Sequence, residues 1–192
     1  MQGKLVLIVG VPGAGKSTLL QYAREQFPEI VFPRSWTTRP IREGEVEGVS
    51  YHFATNEEFE QALRDNRFLE WVMIDGGHCY GTDKQAITDA LAAGKFVLKD
   101  VEPIGARNIK TLLPERSVVT IFITAGSWED VKRRILDRSP MSEEELAKRE
   151  ERYNRELSFE QEADFIVPNA YGELDAAKKE FARVLASVMQ SE

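Results

Sequence analysis

Lys16 and Ser17 close the stretch Gly10-Val11-Pro12-Gly13-Ala14-Gly15-Lys16-Ser17, whose residue types suit phosphate chemistry. An ammonium offers a point charge, a hydroxyl offers a hard oxygen for Mg2+, and glycines let successive backbone N–H groups converge on one anion. The stretch follows Leu5-Val6-Leu7-Ile8-Val9 and leads into Thr18-Leu19-Leu20. A buried strand therefore ends, a tight loop turns, and a helix starts with its positive end towards the same anion. Such a P-loop binds a nucleoside triphosphate, with Lys16 on the β- and γ-phosphates and Ser17 on Mg2+. What receives the phosphate must be sought elsewhere in the chain.

With 192 residues, 42% hydrophobic and 30% charged, the chain suffices for one α/β domain with a substantial core. A formal net charge of −7 argues against a general nucleic-acid or anionic-membrane binder, so any anion site must be a local cluster of cations. The single cysteine, Cys79, has no internal disulfide partner, which fits a reducing cytosol; it is expected to be a partly buried small residue. The N-terminal apolar run is short for a signal sequence, and no stretch approaches the ~18 apolar residues of a membrane helix. A cytoplasmic protein without membrane or nucleic-acid partners is expected.

The elements that must position the loop alternate along the chain. A helix is expected over 17–27, with Pro28 beyond its end. Residues 34–48 carry Arg, Thr, Glu and Gly and follow Pro33, so they read as a long shaped loop before a short strand over 50–54. Thr55 and Glu58 form a capping box opening a helix to about 66; residues 68–74 read as a strand and Asp75-Gly76-Gly77 as a turn. Helices are expected over 83–93, stopped by Gly94, and over 104–113, stopped by Pro114, with core strands at 96–98 and 118–123. Ser127 should cap a helix that Ser139-Pro140 interrupts, and Ser142 a second, very polar one. A last strand over 165–167 and an amphipathic helix from Leu174 to Val188 complete an α/β parallel core flanked by helices.

Residues 37–53 place Thr37, Thr38, Arg39, Arg42, Gly44, Glu45, Gly48, Tyr51 and Phe53 in the pattern T-T-R-x-x-R-x-G-E-x-x-G-x-x-Y-x-F; Phe68-Leu69-Glu70-Trp71 and Tyr80-Gly81 follow. Together with the P-loop this resembles guanylate kinase, over nearly the whole chain. The resemblance implies a P-loop NTPase-type core (1–32, 83–136 and 153–192), a GMP-binding region (33–82) and a helical lid (137–152). It also implies that Ser35, Tyr51 and Tyr80 donate hydroxyls to the GMP phosphate. Arg39 and Arg42 suit the same group, because planar guanidinium forks match a phosphate near −2.

Guanine shows donors at N1 and N2, so a fixed carboxylate selects it, and Glu70 is the residue expected to do so, with Thr82 as its hydroxyl partner by resemblance. The family's D-x-D-x-Q-G segment stands here as Asp100-Val-Glu-Pro-Ile-Gly105, with Asp100 expected on Mg2+ and Glu102 in place of the second guanine-reading Asp. The longer carboxylate either overshoots the base or bends away, leaving Glu70 to do most of the reading. Ile104 replaces Gln, Asp137-Arg138-Ser139 replaces G-R-G, and Asn169-Ala-Tyr replaces N-D-D near the ATP site, to which Gly10 through Thr18 and Asn169 are assigned. Arg134, Arg138 and Arg149 are expected to close over the bridging phosphates, whereas Arg152 and Arg155 are expected to be solvated. Trp71 should point into the core, away from Glu70; His52 and His78 need no catalytic task, since the acceptor phosphate is already ionised. The reaction expected is γ-phosphoryl transfer from MgATP to GMP by a monomer or homodimer. Two other readings stay open: a P-loop kinase of another small phosphate such as ribose bisphosphate, and a non-catalytic binding module.

Overall fold

The computed structural model describes residues 3–42, 44–74, 77–138 and 140–190, and at Arg138 the backbone alone. The strands are β1 (Leu5–Gly10), β2 (Ser35–Thr37), β3 (His52–Phe53), β4 (Phe68–Ile74), β5 (His78–Asp83), β6 (Val97–Asp100), β7 (Val118–Thr124) and β8 (Phe165–Pro168). The helices are α1 (Lys16–Gln26), α2 (Asn56–Arg64), α3 (Lys84–Ala92), α4 (Pro103–Leu112), α5 (Trp128–Arg138), α6 (Glu143–Leu157) and α7 (Leu174–Gln190).

β1 is apolar and buried at every position because it lies inside a parallel sheet of order β6-β1-β7-β8. At the carboxyl end of β1, a Cβ on Gly10 would stand 2.4 Å from the Ile123 carbonyl oxygen of β7, so only glycine lets the chain leave the sheet there. Gly15 is the N-cap residue of α1, its φ of +85° is left-handed, and no side chain caps the helix. Its first N–H groups therefore face the loop. α7 packs on β8 and on α1, and its buried stripe of Ala177, Phe181, Val184, Leu185 and Val188 joins the main core.

A second sheet, β3-β2-β5-β4, is parallel between β2 and β3 and antiparallel elsewhere. Its own small core is Phe59 and Ala62 of α2 against Phe68, with the two phenylalanine rings stacked at 4.6 Å. The capping boxes expected at Thr55 and Ser142 are both present, and Asp83 caps α3. α4 touches both β1 and β4, so it joins the two sheets.

Two expectations are corrected. The stretch read as a loop opens with β2, whose three residues pair with β3 on one side and β5 on the other; so short a strand leaves no periodicity to read. Trp71 is not in the core. It is 43% exposed on the edge strand β4 and meets Phe59 only edge-on at 6.4 Å, because the nine-residue α2 is spent covering Phe68. Of the turn at 75–77 only Gly77 is described, and of the break at 139–140 only Pro140; Asp75, Gly76 and Ser139 lie outside the described residues. Among the described residues no helix is long and apolar enough to cross a membrane.

Candidate active site

Two cavities lie side by side at the carboxyl end of the parallel sheet, one of about 460 Å3 and one of about 920 Å3. They share Lys16, Ser17, Arg42, Met141 and Arg149 as a common wall. Anything held in one can therefore meet what is held in the other at the Lys16–Ser17 step.

The larger cavity is built on the P-loop. Gly13, Ala14, Gly15 and Thr18 line it, while Pro12 faces the smaller cavity and the Val11 side chain is buried in the core. Gly10 and Val11 contribute carbonyls instead: Lys16 Nζ donates to Gly10 O and, at 3.3 Å, to Val11 O. Burial pushes the Lys16 ammonium below its usual range, opposed by the carboxylates of Glu156, Glu102 and Asp100. Asn169 is buried and donates its amide to Ala14 O at 2.7 Å, and a Cβ on Gly15 would stand 2.5 Å from that amide nitrogen. Arg134 donates to Gly13 O at 3.3 Å and to Asn169 O at 2.5 Å, so α5 clasps the loop from outside. Arg138 ends α5, its side chain outside the described residues; Arg149 of α6 faces both cavities.

The smaller cavity rests on the second sheet. Strand register aligns Ser35 of β2, Thr82 of β5 and Glu70 of β4 in one row across three strands, with Tyr80 in the next row. A register shift between Phe68 and Glu70 turns Glu70 into the cleft while Phe68 stays under α2. Thr82 donates to Glu70 Oε1 at 2.6 Å; Oε2 is buried and has no partner among the described residues. Burial raises the Glu70 carboxyl, tempered by the Thr82 hydroxyl and the Lys99 charge. Tyr51 lines this cavity with its ring edge-on to Tyr80 at 6.1 Å. His78 also lines it, whereas His52 does not and lies against Trp36, the two rings tilted at 56° with centroids 3.9 Å apart.

Arg39 is the most constrained cation of the group. It is 6% exposed and donates from Nε to Tyr80 Oη at 3.1 Å, from Nη1 to Pro40 O at 2.7 Å, and from Nη1 and Nη2 to Glu45 at 2.8 Å each. A guanidinium has five N–H donors, so about one is left for a ligand. Glu45 also accepts from the Arg42 backbone N–H at 2.8 Å, which leaves the exposed Arg42 guanidinium over both cavities.

On the wall of the smaller cavity, Asp100 ends β6 beside Ile8 of β1. Lys99, 2% exposed within the strand, bonds to the Asp100 carboxylate at 2.9 Å. Burial alone would raise that carboxyl, but Lys99 and Lys16 hold it below its ordinary value. Glu102 lines the smaller cavity with its carboxylate on Arg152 at 2.7 Å, and Arg152 also donates to the buried Glu156. Arg152 is thus not the solvated residue expected: its i,i+4 partner Glu156 is a core residue, and the spacing is the same whether such a pair faces water or protein. Lys99, Glu45 and Glu156 were not among the expected site residues. Two signals were available: the place of Glu45 in the 37–53 pattern, and a lysine inside the apolar strand Val97-Leu98-Lys99.

The family model described as guanylate kinase matches residues 2–188. A guanylate kinase of Synechococcus sp. (strain JA-3-3Ab) is 37% identical over 168 residues, 88% of this chain and 76% of that one. Another, of Chlorobium luteolum, is 40% identical over 167 residues, 87% of this chain and 84% of that one. The crystal structure of guanylate kinase from Anaplasma phagocytophilum superposes with a TM-score of 0.78 at 23% identity, covering 99% of this chain and 88% of that one, a likeness of fold. A match from residue 2 to residue 188, with relatives this similar over most of their length, makes one assignment: the chain belongs to the guanylate kinase family.

Proposed function

We propose the following division of labour for a chain whose family reaction is transfer of the γ-phosphoryl group of ATP to GMP, giving ADP and GDP. ATP occupies the larger cavity, its phosphates on the uncapped N-terminus of α1 and the loop N–H groups. Lys16 exchanges its two carbonyl partners for the β- and γ-phosphates, a small motion because the carbonyls belong to the same loop. GMP occupies the smaller cavity, with its base on Glu70 and Thr82 and its phosphate among Ser35, Tyr51, Tyr80, Arg39 and Arg42. Arg42 offers the open fork; Arg39 contributes charge and a fixed wall. The acceptor oxygen is already ionised near neutral pH, so no general base is required.

Mg2+ is the implied cofactor, and the donor set fits: the Ser17 hydroxyl is exposed on the shared wall and the Asp100 carboxylate is held ionised. When bound, the ion neutralises phosphate charge. Arg134, Arg138 and Arg149 add cations around the transferring group, and the segment 137–152 closes over it to exclude water. The protein works in the cytoplasm as a monomer or homodimer, with nucleotides as its only partners.

The observation that carries this reading is the buried Glu70 carboxylate, one oxygen on Thr82, in a cavity that shares its wall with Lys16. A ribose bisphosphate would offer that carboxylate only sugar hydroxyls, without the two adjacent N–H donors that a guanine edge presents. A coupled ADP-release assay across GMP, AMP, UMP and ribose bisphosphate should show turnover dominated by GMP. Lys16→Ala should lower kcat at least about a hundredfold while GMP still binds. Equal use of AMP, or retained turnover in the lysine variant, would refute the assignment.

A further inference from the structure

Glu102 and Arg152 line the same cavity from two different elements, the start of α4 and the middle of α6. Glu102 is the N-cap residue of α4, yet its side chain makes no capping bond. It extends to α6, fifty positions away, where Arg152 Nη2 donates to its Oε1 at 2.7 Å. Arg152 is itself anchored, because Nε donates to Oε1 of Glu156, whose side chain is only 5% exposed. One guanidinium thus holds two carboxylates that would otherwise repel, one fixed in the protein and one on the wall of the smaller cavity.

Arg152 lines the smaller cavity and not the larger, unlike Arg149 one turn earlier, which lines both. It therefore stands on the monophosphate side of the cleft. A glutamate side chain has more rotamers than an aspartate, and an unheld one on a cavity wall would spread over them. The bond to Arg152 engages Oε1, so Oε2 of the same carboxylate can accept from a base.

We infer that Arg152 is a positioning residue for base selection: from α6 it fixes the Glu102 carboxylate, so that discrimination among purine monophosphates depends on the Glu102–Arg152 pair as well as on Glu70. The inference rests on the reading of the smaller cavity as the GMP site.

The test uses the full chain with saturating ATP and three acceptors: GMP, IMP, which lacks the 2-amino donor, and AMP, which lacks the N1 donor. Arg152→Ala should raise KM for GMP about tenfold with kcat within about threefold. KM for ATP should stay unchanged, and the preference for GMP over IMP or over AMP should fall by a similar factor. Combined with Glu102→Ala it should add little, since the two substitutions remove one pair. Arg152→Lys keeps a donor to Glu102 and should restore part of the preference. Should Arg152→Ala fold poorly with Glu156 left buried and unpaired, Arg152→Ala/Glu156→Gln removes that carboxylate and should show the same kinetic pattern. A loss of kcat equal for all acceptors, or full additivity with Glu102→Ala, would overturn the inference. A parent protein that does not prefer GMP over IMP and AMP would instead overturn the assignment of the cavity.

Discussion

Glu70 Oε2 lies 2.7 Å from where a Cβ on Gly105 would stand. The carboxylate of β4 is thus seated against bare backbone of α4, with Thr82 on its other oxygen. Glycine at 105 is required by this approach and not by its backbone dihedrals. Gly105→Ala should displace the carboxylate and raise KM for GMP about tenfold with KM for ATP unchanged. Glu70→Gln swaps an acceptor for a donor opposite a guanine N–H and should lose about 2 to 4 kcal/mol in kcat/KM for GMP. Glu102→Asp should stay within about tenfold of the parent. Steady-state kinetics ranks the variants; a crippled Glu102→Asp beside a tolerant Glu70→Gln would reverse the roles.

Arg39 and Glu45 form a two-bond pair that also holds the Arg42 backbone. Arg39→Ala should weaken GMP chiefly through KM. Glu45→Ala should do the same more mildly, by several-fold, because the loop loses its pin while both guanidiniums survive. Titration of GMP into each variant measures this; tighter GMP binding in Glu45→Ala would mean that the carboxylate competes with the phosphate.

Burial, with the charge of Glu102, pushes the Glu156 carboxyl up to about 7 despite Arg152. A raised carboxyl binds its proton more tightly in the folded chain than in the unfolded one. Its contribution to stability is therefore complete below about 4.5 and is lost as pH rises through about 7. Glu156→Gln removes this dependence. The Tm of the variant relative to the parent should rise between pH 5 and pH 8, measured by thermal melts across that range, and a relative Tm that falls would show that the charged pair with Arg152 outweighs burial.

The cavities share a wall but open to solvent, and two anionic substrates must meet away from water. Binding both should swing the 33–82 region and the 137–152 segment towards the P-loop. Small-angle scattering with GMP plus a non-hydrolysable ATP analogue should show a smaller radius of gyration than the free protein, and an unchanged value would count against closure.

The P-loop was legible in the sequence because its function is local. A buried strand, a glycine turn and a helix start are contiguous, and backbone N–H groups of neighbouring residues make the site. The capping boxes at Thr55 and Ser142 were legible for the same reason, since each closes within a single turn. β2 was not, because a three-residue strand is defined by its two partners and not by its own pattern. Only the tertiary structure decided the charge network. Arg152 and Glu156 have the spacing of a solvated helical pair, and it is the packing of α6 that buries Glu156 and brings Arg152 to Glu102, fifty residues distant. Arg39 shows the same division: its type and place mark a phosphate ligand, but the count of donors left to it depends on Tyr80, forty-one residues away across the second sheet. Side-chain chemistry is written residue by residue, whereas the partner that uses or blocks it is chosen by whichever surface the fold brings within hydrogen-bond reach.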